Sequence, residues 1–178
     1  MKAAKLICII GAECTGKTTL ARSLAAHFDC PWVPEQLRTF CDTHARTPRH
    51  DEQAQLLEAQ RAGELAAQLS ATQQKKPFVF CDTAPLLTAI YSDYIFADES
   101  LYAHARTLHT RYAVTLLLAN DIAWQADGLQ RDGAHVQAPV TQLIERELAA
   151  LALPMTCVAG LAEARLATAL AAIKALDR

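Results

Sequence analysis

Eight consecutive residues near the start of the chain form a complete phosphate-binding sequence. Residues 11–18 read Gly-Ala-Glu-Cys-Thr-Gly-Lys-Thr, which matches the pattern G-x-x-x-x-G-K-[ST]. In this pattern the glycines let backbone N–H groups point into one concavity, the lysine reaches the β- and γ-phosphates, and the last hydroxyl contacts Mg²⁺. The sequence therefore predicts a triphosphate site made of Gly11, Ala12, Glu13, Cys14, Thr15, Gly16, Lys17, Thr18 and Thr19, with Thr18 as the metal contact.

The elements on either side of this loop fit the mechanism. The apolar run 5–10 predicts a buried strand, and residues 17–28 place Leu20, Leu24 and Phe28 on one helical stripe. A phosphate-binding loop must lie between a strand and the N-terminus of a helix. This context disfavours the alternative, a glycine-rich turn that binds nothing.

Strand-like runs alternate with helical patterns along the rest of the chain. This alternation is typical of an α/β fold, a doubly wound parallel sheet with helices on both faces, and 178 residues suit a single domain spanning 1–178. Further strands are expected at 30–33, 78–81, 112–119 and 155–158. A long helix is expected from an N-cap at Asp51 to about Ala71, with Leu57, Leu65 and Leu69 facing the core. Further helices are expected at 35–45, 85–96, 100–110, 140–151 and 160–176.

Asp82 follows the third strand at its carboxyl end, the edge where ligands bind in open α/β sheets. An acid beside a phosphate loop either holds Mg²⁺, directly or through water, or accepts a proton from an attacking hydroxyl. We predict one of these roles for Asp82. The alternative is an N-cap for the helix in which Pro85 fits the first turn, and the two roles are compatible.

Two other segments are expected to reach the same edge. Glu35 and Arg38 lie three residues apart at a helix start, where they either hold a polar ligand together or form a surface ion pair. The polar stretch 121–137 predicts a lid over the site. In it, Arg131 is a candidate arginine finger or an ordinary solvated arginine, and Trp124 either stacks on a ring of the ligand or packs against the lid itself.

The composition limits the classes of partner that the protein is expected to bind. A net charge of −2 without a run of Lys or Arg argues against a nucleic-acid surface, and no apolar stretch has the length of a membrane span. Small molecules are therefore the expected partners. Six cysteines without metal-ligand spacing indicate free thiols in a reducing cytoplasm; Cys14 in the loop is either a reactive thiol or a tolerated small residue. The histidines show no metal or triad spacing, and the oligomeric state is not readable.

With these residues placed, the chain resembles the NadR-like family of P-loop kinases and ATPases, which includes the ribosylnicotinamide kinase domain of bifunctional NAD-biosynthesis regulators. The resemblance is carried by the loop at 11–20, Pro34-Glu-Gln-Leu-Arg38, the Gln60-Arg61 pair, Phe80-Cys-Asp-Thr83 and the lid sequence 117–133. It departs from the family pattern at Gln36, Ala84 and Ala123.

The resemblance implies ATP- and Mg²⁺-dependent transfer of a phosphoryl group to the ribose 5′-hydroxyl of nicotinamide riboside. Under it, Asp82 touches the hydroxyl, and together with Lys17 and Arg131, whose roles are expected from their own chemistry, it makes up the predicted catalytic set. Glu35, Arg38, Trp124 and Asp127 then border the nucleoside. The adenylyltransferase and DNA-binding parts of the bifunctional proteins have no counterpart in this sequence.

Two other functions remain open at this point. One is a nucleotide-dependent ATPase or switch that acts on a macromolecular partner, and the other is kinase chemistry on a different metabolite. A pocket at the second and third strand ends would favour a kinase, and a shallow surface would favour a switch. A guanine-specific GTPase is disfavoured because Asn120-Asp121 stands where an N-K-x-D motif would follow the fourth strand.

Overall fold

The computed structural model describes residues 2–123 and 134–177, which form a five-stranded sheet flanked by helices. The strands are β1 (Lys5–Ile10), β2 (Trp32–Val33), β3 (Phe78–Asp82), β4 (Tyr112–Leu118) and β5 (Met155–Val158). The helices are α1 (Lys17–Phe28), α2 (Gln36–His44), α3 (Gln53–Gln73), α4 (Pro85–Phe96), α5 (Tyr102–His109), α6 (Ala134–Leu151) and α7 (Ala162–Lys174). Short 3₁₀ helices cover His50–Glu52 and Ala175–Asp177.

All neighbouring strands pair in parallel, in the order β2-β3-β1-β4-β5. The predicted parallel α/β architecture is therefore confirmed. Because every strand runs in the same direction, all five carboxyl ends meet at one edge of the sheet. In the register of β1 and β3, Ile9 lies beside Asp82. The phosphate-binding loop and the predicted acid consequently leave the sheet next to each other.

The central strand β1 is buried on both faces. Leu6, Cys8 and Ile10 belong to the hydrophobic core on one side of the sheet, and Ile7 and Ile9 belong to the core on the other. This division follows from the alternation of side chains along a strand. Burial of each large side chain contributes roughly 1.5–3 kcal/mol, so β1 is an anchored support for the loop that follows it.

The helix next to the phosphate-binding loop forms as predicted. Helix α1 covers the expected residues 17–28, and Leu20 and Leu24 are buried against the sheet. Phe28 at its end packs edge-on against Phe78, with ring centroids 5.1 Å apart. Helix α4 also coincides with its predicted bounds.

The long helix α3 departs from the predicted pattern. Leu69 was expected to face the core but is 66% exposed, whereas the polar residues Gln60 and Glu64 are 1% and 0% exposed. Their burial is tolerated because each has hydrogen-bond partners, described below. Asp51 is not the N-cap of this helix, since it lies in the 3₁₀ turn before α3 begins at Gln53.

The last four residues of the predicted lid belong to a helix. Helix α6 begins at Ala134, so positions 134–137 are helical, and the helix starts six residues before the predicted position near Val140. Pro139 lies inside α6, and a proline is disfavoured in a helix interior, which explains the late prediction. Of the other residues in the predicted range, 121–123 are described and belong to no helix or strand, and 124–133 lie outside the described residues.

Two searches over the described residues give further facts. None of the helices between 2 and 123 or between 134 and 177 combines the length and the apolarity needed to cross a membrane. All six cysteines lie within these ranges and none of them forms a disulfide.

A buried histidine joins α5 to β4. His109 is 0% exposed, and its Nε2 lies 2.9 Å from the hydroxyl of Thr115. Burial, and after it the charge of Arg111, lower the pKa of His109 from 6.5 to about 4. The folded protein therefore holds this imidazole neutral where an unfolded chain protonates it.

We expect this histidine to make stability depend on pH. Between pH 6.5 and about 4 the unfolded chain binds a proton that the folded protein does not, so the free energy of unfolding falls as the pH falls through this window. The slope is up to about 1.4 kcal/mol per pH unit. Urea unfolding at pH 7 and pH 5 should show that the free energy of unfolding falls less between these two pH values in His109→Gln than in the wild type. His135→Gln, at an exposed position on α6, is the control and should keep the pH dependence of the wild type. An equal pH dependence in all three proteins would contradict the assignment.

Candidate functional site: a phosphate-binding loop beside an apolar cavity

The loop between β1 and α1 needs glycine at two positions for steric reasons. A Cβ on Gly11 would lie 2.8 Å from the Thr15 hydroxyl oxygen, which is shorter than real Cβ contacts, and 3.1 Å from the Leu118 carbonyl oxygen, which is tighter than most of them. Gly16, the N-cap of α1, has a φ of 82°, a conformation that L side chains rarely adopt. The motif glycines thus let the loop pass close to β4 and turn into the helix.

Two side chains close the loop on itself. The Lys17 ammonium donates a hydrogen bond to the Ala12 carbonyl at 2.9 Å, and the Thr15 hydroxyl donates to the same carbonyl at 2.8 Å. Ala12 and Thr15 are buried, so these contacts hold the loop in one shape. A loop held in advance binds phosphate with less ordering cost.

Thr18 and Asp82 connect the loop helix to the third strand. The Thr18 hydroxyl donates to Oδ2 of Asp82 at 2.6 Å, and Asp82 is 1% exposed. The other oxygen, Oδ1, has no hydrogen-bond partner among residues 2–123 and 134–177. The structure therefore brings together the two residues predicted as metal contacts, with one buried carboxylate oxygen available.

Burial dominates the electrostatics of Asp82. It raises the pKa of the carboxyl, against the lowering effects of the Thr18 hydrogen bond and the positive charge of Lys17. The N-cap alternative for Asp82 does not hold, because Ala84 occupies the N-cap of α4 and Pro85 is the first helical residue. The carboxylate thus makes no cap contact that would account for its position.

Helix α2 brings Glu35 and Arg38, the predicted pair of oppositely charged residues, to the loop. Glu35 is the N-cap residue of α2, and Arg38 lies in its first turn. Both line a cavity of about 300 Å³ together with loop residues that include Lys17 and Thr18. Arg22 of α1 lines it as well, so three cations surround this space. The lining also contains two carboxylates, Glu13 and Glu35, so the cations exceed the acids by one, which suits an anionic ligand.

A second, larger cavity adjoins the first. It measures about 370 Å³, and its lining is mainly apolar, with Leu56, Leu87 and Phe96 among the contributors. Glu35, Leu37 and Tyr91 line both cavities, so the two spaces share one wall. The size and the apolar lining with a few polar groups are typical of small-molecule sites. The second and third strand ends therefore carry a pocket and not a shallow surface.

Thr83, next to Asp82, is strained and buried. Its φ is 78°, which is an outlier for a β-branched residue and costs of order 1–3 kcal/mol. It is 5% exposed and lines the larger cavity, and its hydroxyl has no hydrogen-bond partner in the described part of the chain. An unpaired buried hydroxyl costs about 1–3 kcal/mol. No pattern in the sequence signals such a conformation.

A series of hydrogen bonds leads from the larger cavity to Tyr112 at the amino-terminal end of β4. Oε1 of Gln60 accepts from the backbone N–H of Gln36 at 3.1 Å, and Nε2 donates to Glu64 at 3.1 Å. Glu64 also accepts from Tyr112 at 2.7 Å and pairs with Arg111 at 2.7 Å. Burial raises the pKa of Glu64, while these hydrogen bonds oppose the rise. Gln60 thereby caps α2, whose own N-cap side chain makes no cap bond.

Arg165 of α7 holds three loops together. It is 4% exposed, and its guanidinium donates to the carbonyl oxygens of Thr15 in the phosphate loop, Ala119 after β4 and Gly160 after β5. It also forms an ion pair with Asp121. The sequence interpretation missed this residue, because a single arginine in an Ala-rich helix resembles a solvated side chain.

The predicted lid residues Trp124, Asp127 and Arg131 lie outside the described residues. The helix that follows them reaches the loop, since Nε2 of Gln137 on α6 donates to the Glu13 carbonyl at 2.8 Å. Nδ2 of Asn120, after β4, donates to the Thr141 hydroxyl at 2.6 Å. The end of β4 and the start of α6 are therefore tied to each other and to the phosphate-binding loop.

The phosphate-binding loop lies between the central strand of a parallel sheet and a helix that begins at Lys17. This arrangement defines a P-loop fold of the nucleotide-binding class. Comparison then gives the family. A family model described as AAA domain matches residues 6–165, which is most of the chain. The chain belongs to this AAA-domain family. No curated protein matches it in sequence.

Solved structures share the fold of this chain. The chain is similar to the NadR protein in complex with NR, with a TM-score of 0.79 and 20% identity, and to the NadR protein in complex with NAD and AMP-PNP, with 0.81 and 19%. These matches cover 97% of this chain but 51% and 49% of those chains, so the chain spans about half of their length. The resemblance to the NadR-like P-loop fold that the sequence predicts is confirmed.

More distant structures share the fold over their whole length. Thymidylate kinase from Ehrlichia chaffeensis has a TM-score of 0.66 and 14% identity, with 98% of this chain and 100% of that chain covered. Deoxyadenosine kinase from M. mycoides has a TM-score of 0.61 and 12% identity, with 97% and 100% covered. At these identities the likeness establishes the fold.

Removing the Arg165 guanidinium should destabilise the protein and loosen the loop. In Arg165→Met three carbonyl groups and one carboxylate lose their donor, so we expect the free energy of unfolding to fall by about 3 kcal/mol or more. Urea denaturation measures this change. Lys174→Met, at an exposed position on the same helix, is the matched control and should change stability by less than about 0.5 kcal/mol. A similar small effect in both variants would contradict the bracing role.

Removing the cap on α2 should loosen that helix locally. Gln60→Leu leaves the Gln36 N–H without its acceptor, at a cost of about 1–2 kcal/mol, so amide exchange within residues 36–44 should become faster. Hydrogen exchange followed by mass spectrometry measures this. Gln55→Leu, at an exposed position of α3, should leave the exchange of α2 unchanged. Unchanged exchange in Gln60→Leu as well would show that α2 does not depend on this cap.

Proposed function

We propose that the protein transfers the γ-phosphoryl group of ATP to the 5′-hydroxyl of a nucleoside, with nicotinamide riboside as the leading acceptor. The observation that carries the proposal is the pair of adjoining cavities, one lined by the phosphate-binding loop and the other mainly apolar, with a common wall. A kinase needs a separate place for its acceptor, whereas an ATPase or switch does not. The likeness to NadR in complex with NR supports this choice of acceptor.

The residues of the loop supply positioning and charge. The backbone N–H groups of residues 11–18 and the dipole of α1 face the phosphates, and Lys17 neutralises the β- and γ-oxygens. Thr18 and Asp82 fit a magnesium site, because a hydroxyl and a buried carboxylate with one unpaired oxygen are hard oxygen ligands. Mg²⁺ supplies Lewis-acid neutralisation of the phosphate charge at such a site.

Asp82 also suits the role of proton acceptor. Its raised pKa makes the carboxylate a stronger base than an ordinary surface aspartate, which favours removal of the proton from the acceptor hydroxyl. It precedes Thr83, which lines the larger cavity, and it accepts a hydrogen bond from Thr18, which lines the phosphate-loop cavity. The proposal therefore assigns Asp82 to the hydroxyl, to the metal, or to both in turn.

The remaining roles complete the proposal. Glu35 and Arg38 at the start of α2 border the acceptor on the loop side. Trp124 and Asp127 border the nucleoside, and Arg131 neutralises the transferred phosphoryl group, as the resemblance implies. The acceptor is a small molecule, and ATP is the donor.

An assay of ATP consumption with a panel of nucleosides tests the proposal. We expect turnover of nicotinamide riboside by the wild type, loss of ATP binding in Lys17→Ala, and a fall in kcat of about 10²–10⁴ in Asp82→Asn. Lys174→Ala and Asp42→Asn, at exposed positions, are the matched charge controls and should retain wild-type rates.

Three outcomes would count against parts of the proposal. Wild-type turnover in Asp82→Asn would remove the catalytic assignment and spare the ATP site. Turnover of another nucleoside in place of nicotinamide riboside would correct the acceptor. ATP hydrolysis that no nucleoside stimulates would favour the ATPase or switch function.

A further inference from the structure

Thr83 carries two unfavourable features that no contact in the described residues offsets. Its backbone is in the left-handed region, with a φ of 78°, although its side chain is β-branched. Its hydroxyl is buried and has no hydrogen-bond partner in residues 2–123 and 134–177. Strained residues and unpaired buried groups persist where function requires them.

The other buried threonines of the described chain do not share this condition. The hydroxyl of Thr15 donates to the Ala12 carbonyl at 2.8 Å, and that of Thr115 lies 2.9 Å from Nε2 of His109. Thr115 is 2% exposed and Thr83 is 5% exposed, so their burial is comparable. The unpaired hydroxyl is therefore particular to position 83 and is not a general property of this core.

The position of Thr83 points to a ligand. It follows Asp82 directly, at the turn from β3 into α4, and its backbone N–H is held by the Ile9 carbonyl at 2.9 Å. It lines the larger cavity and is not part of the lining of the phosphate-loop cavity. The residue therefore borders the proposed acceptor space and not the space beside the phosphate-binding loop.

We propose that the Thr83 hydroxyl hydrogen-bonds the acceptor, at a polar atom close to the alcohol that receives the phosphoryl group. This inference rests on the proposed kinase function and deepens it, because it adds a substrate-binding residue and requires an acceptor with a second polar atom near the reacting hydroxyl, as in the sugar of a nucleoside. The oxygen has almost no accessible surface, so the contact requires rotation about the Cα–Cβ bond toward the cavity that Thr83 lines.

The replacement Thr83→Val gives this proposal a specific signature. Valine has the same shape and the same backbone strain but lacks the hydroxyl, so the folded protein no longer buries an unpaired polar group. We expect the Tm to rise by about 2 °C or more, the KM for nicotinamide riboside to rise about tenfold, and the KM for ATP to stay within about twofold. Thr83→Ser keeps the hydroxyl and should keep the acceptor KM within about threefold.

Thr115→Val is the matched control. The same chemical change there removes a hydroxyl that has a partner, so the Tm should fall by about 2 °C or more and both KM values should stay unchanged. Opposite signs of the two Tm changes, together with an acceptor KM that rises only in Thr83→Val, are the expected result. The Tm measurement needs no substrate.

Failure of the proposed function and failure of the Thr83 contact give different results. Absence of wild-type turnover with every nucleoside in the panel overturns the proposed function. With an active wild type, an unchanged acceptor KM in Thr83→Val overturns the contact alone. A fall in Tm for Thr83→Val like that of Thr115→Val also overturns it, because the hydroxyl would then have a partner within the fold.

Discussion

The hydrogen bond between Thr18 and Asp82 is the contact around which the site is arranged. It forms because β1 and β3 are parallel neighbours in a register that sets Ile9 beside Asp82, so that helix α1 starts over the end of β3. The bond lies in a buried environment, where a charge-assisted contact is stronger than in water. A shift of this register by one residue would turn the Asp82 side chain to the other face of the sheet and separate the two groups.

Buried polar residues outside the loop keep this arrangement in place. Arg165 ties the phosphate loop to the ends of β4 and β5, and Gln60 with Glu64 fixes the start of α2. Such groups are costly to bury unless they are fully paired, and loss of one partner leaves the others unsatisfied. The fold thus uses directional hydrogen bonds where apolar packing alone would leave the loops free to move relative to one another.

The sequence predicted the parts of this protein that depend on local patterns. The strand at β1, helix α1 and helix α4 follow from apolar runs, helical spacing and Pro85, and the loop from its glycines and Lys17. It could not predict that α3 turns Gln60 and Glu64 inward and Leu69 outward, because their partners Gln36, Arg111 and Tyr112 are distant in the chain. The left-handed φ of Thr83 and the role of Arg165 are likewise products of tertiary contacts.

The contact between Lys17 and the Ala12 carbonyl affects how phosphate enters the loop. One of the three N–H donors of the ammonium is bound to an internal oxygen at 2.9 Å, so two donors remain for a phosphate. The carbonyl thus orients the long side chain before an anion arrives. Less rotational freedom then has to be lost when the phosphate is bound.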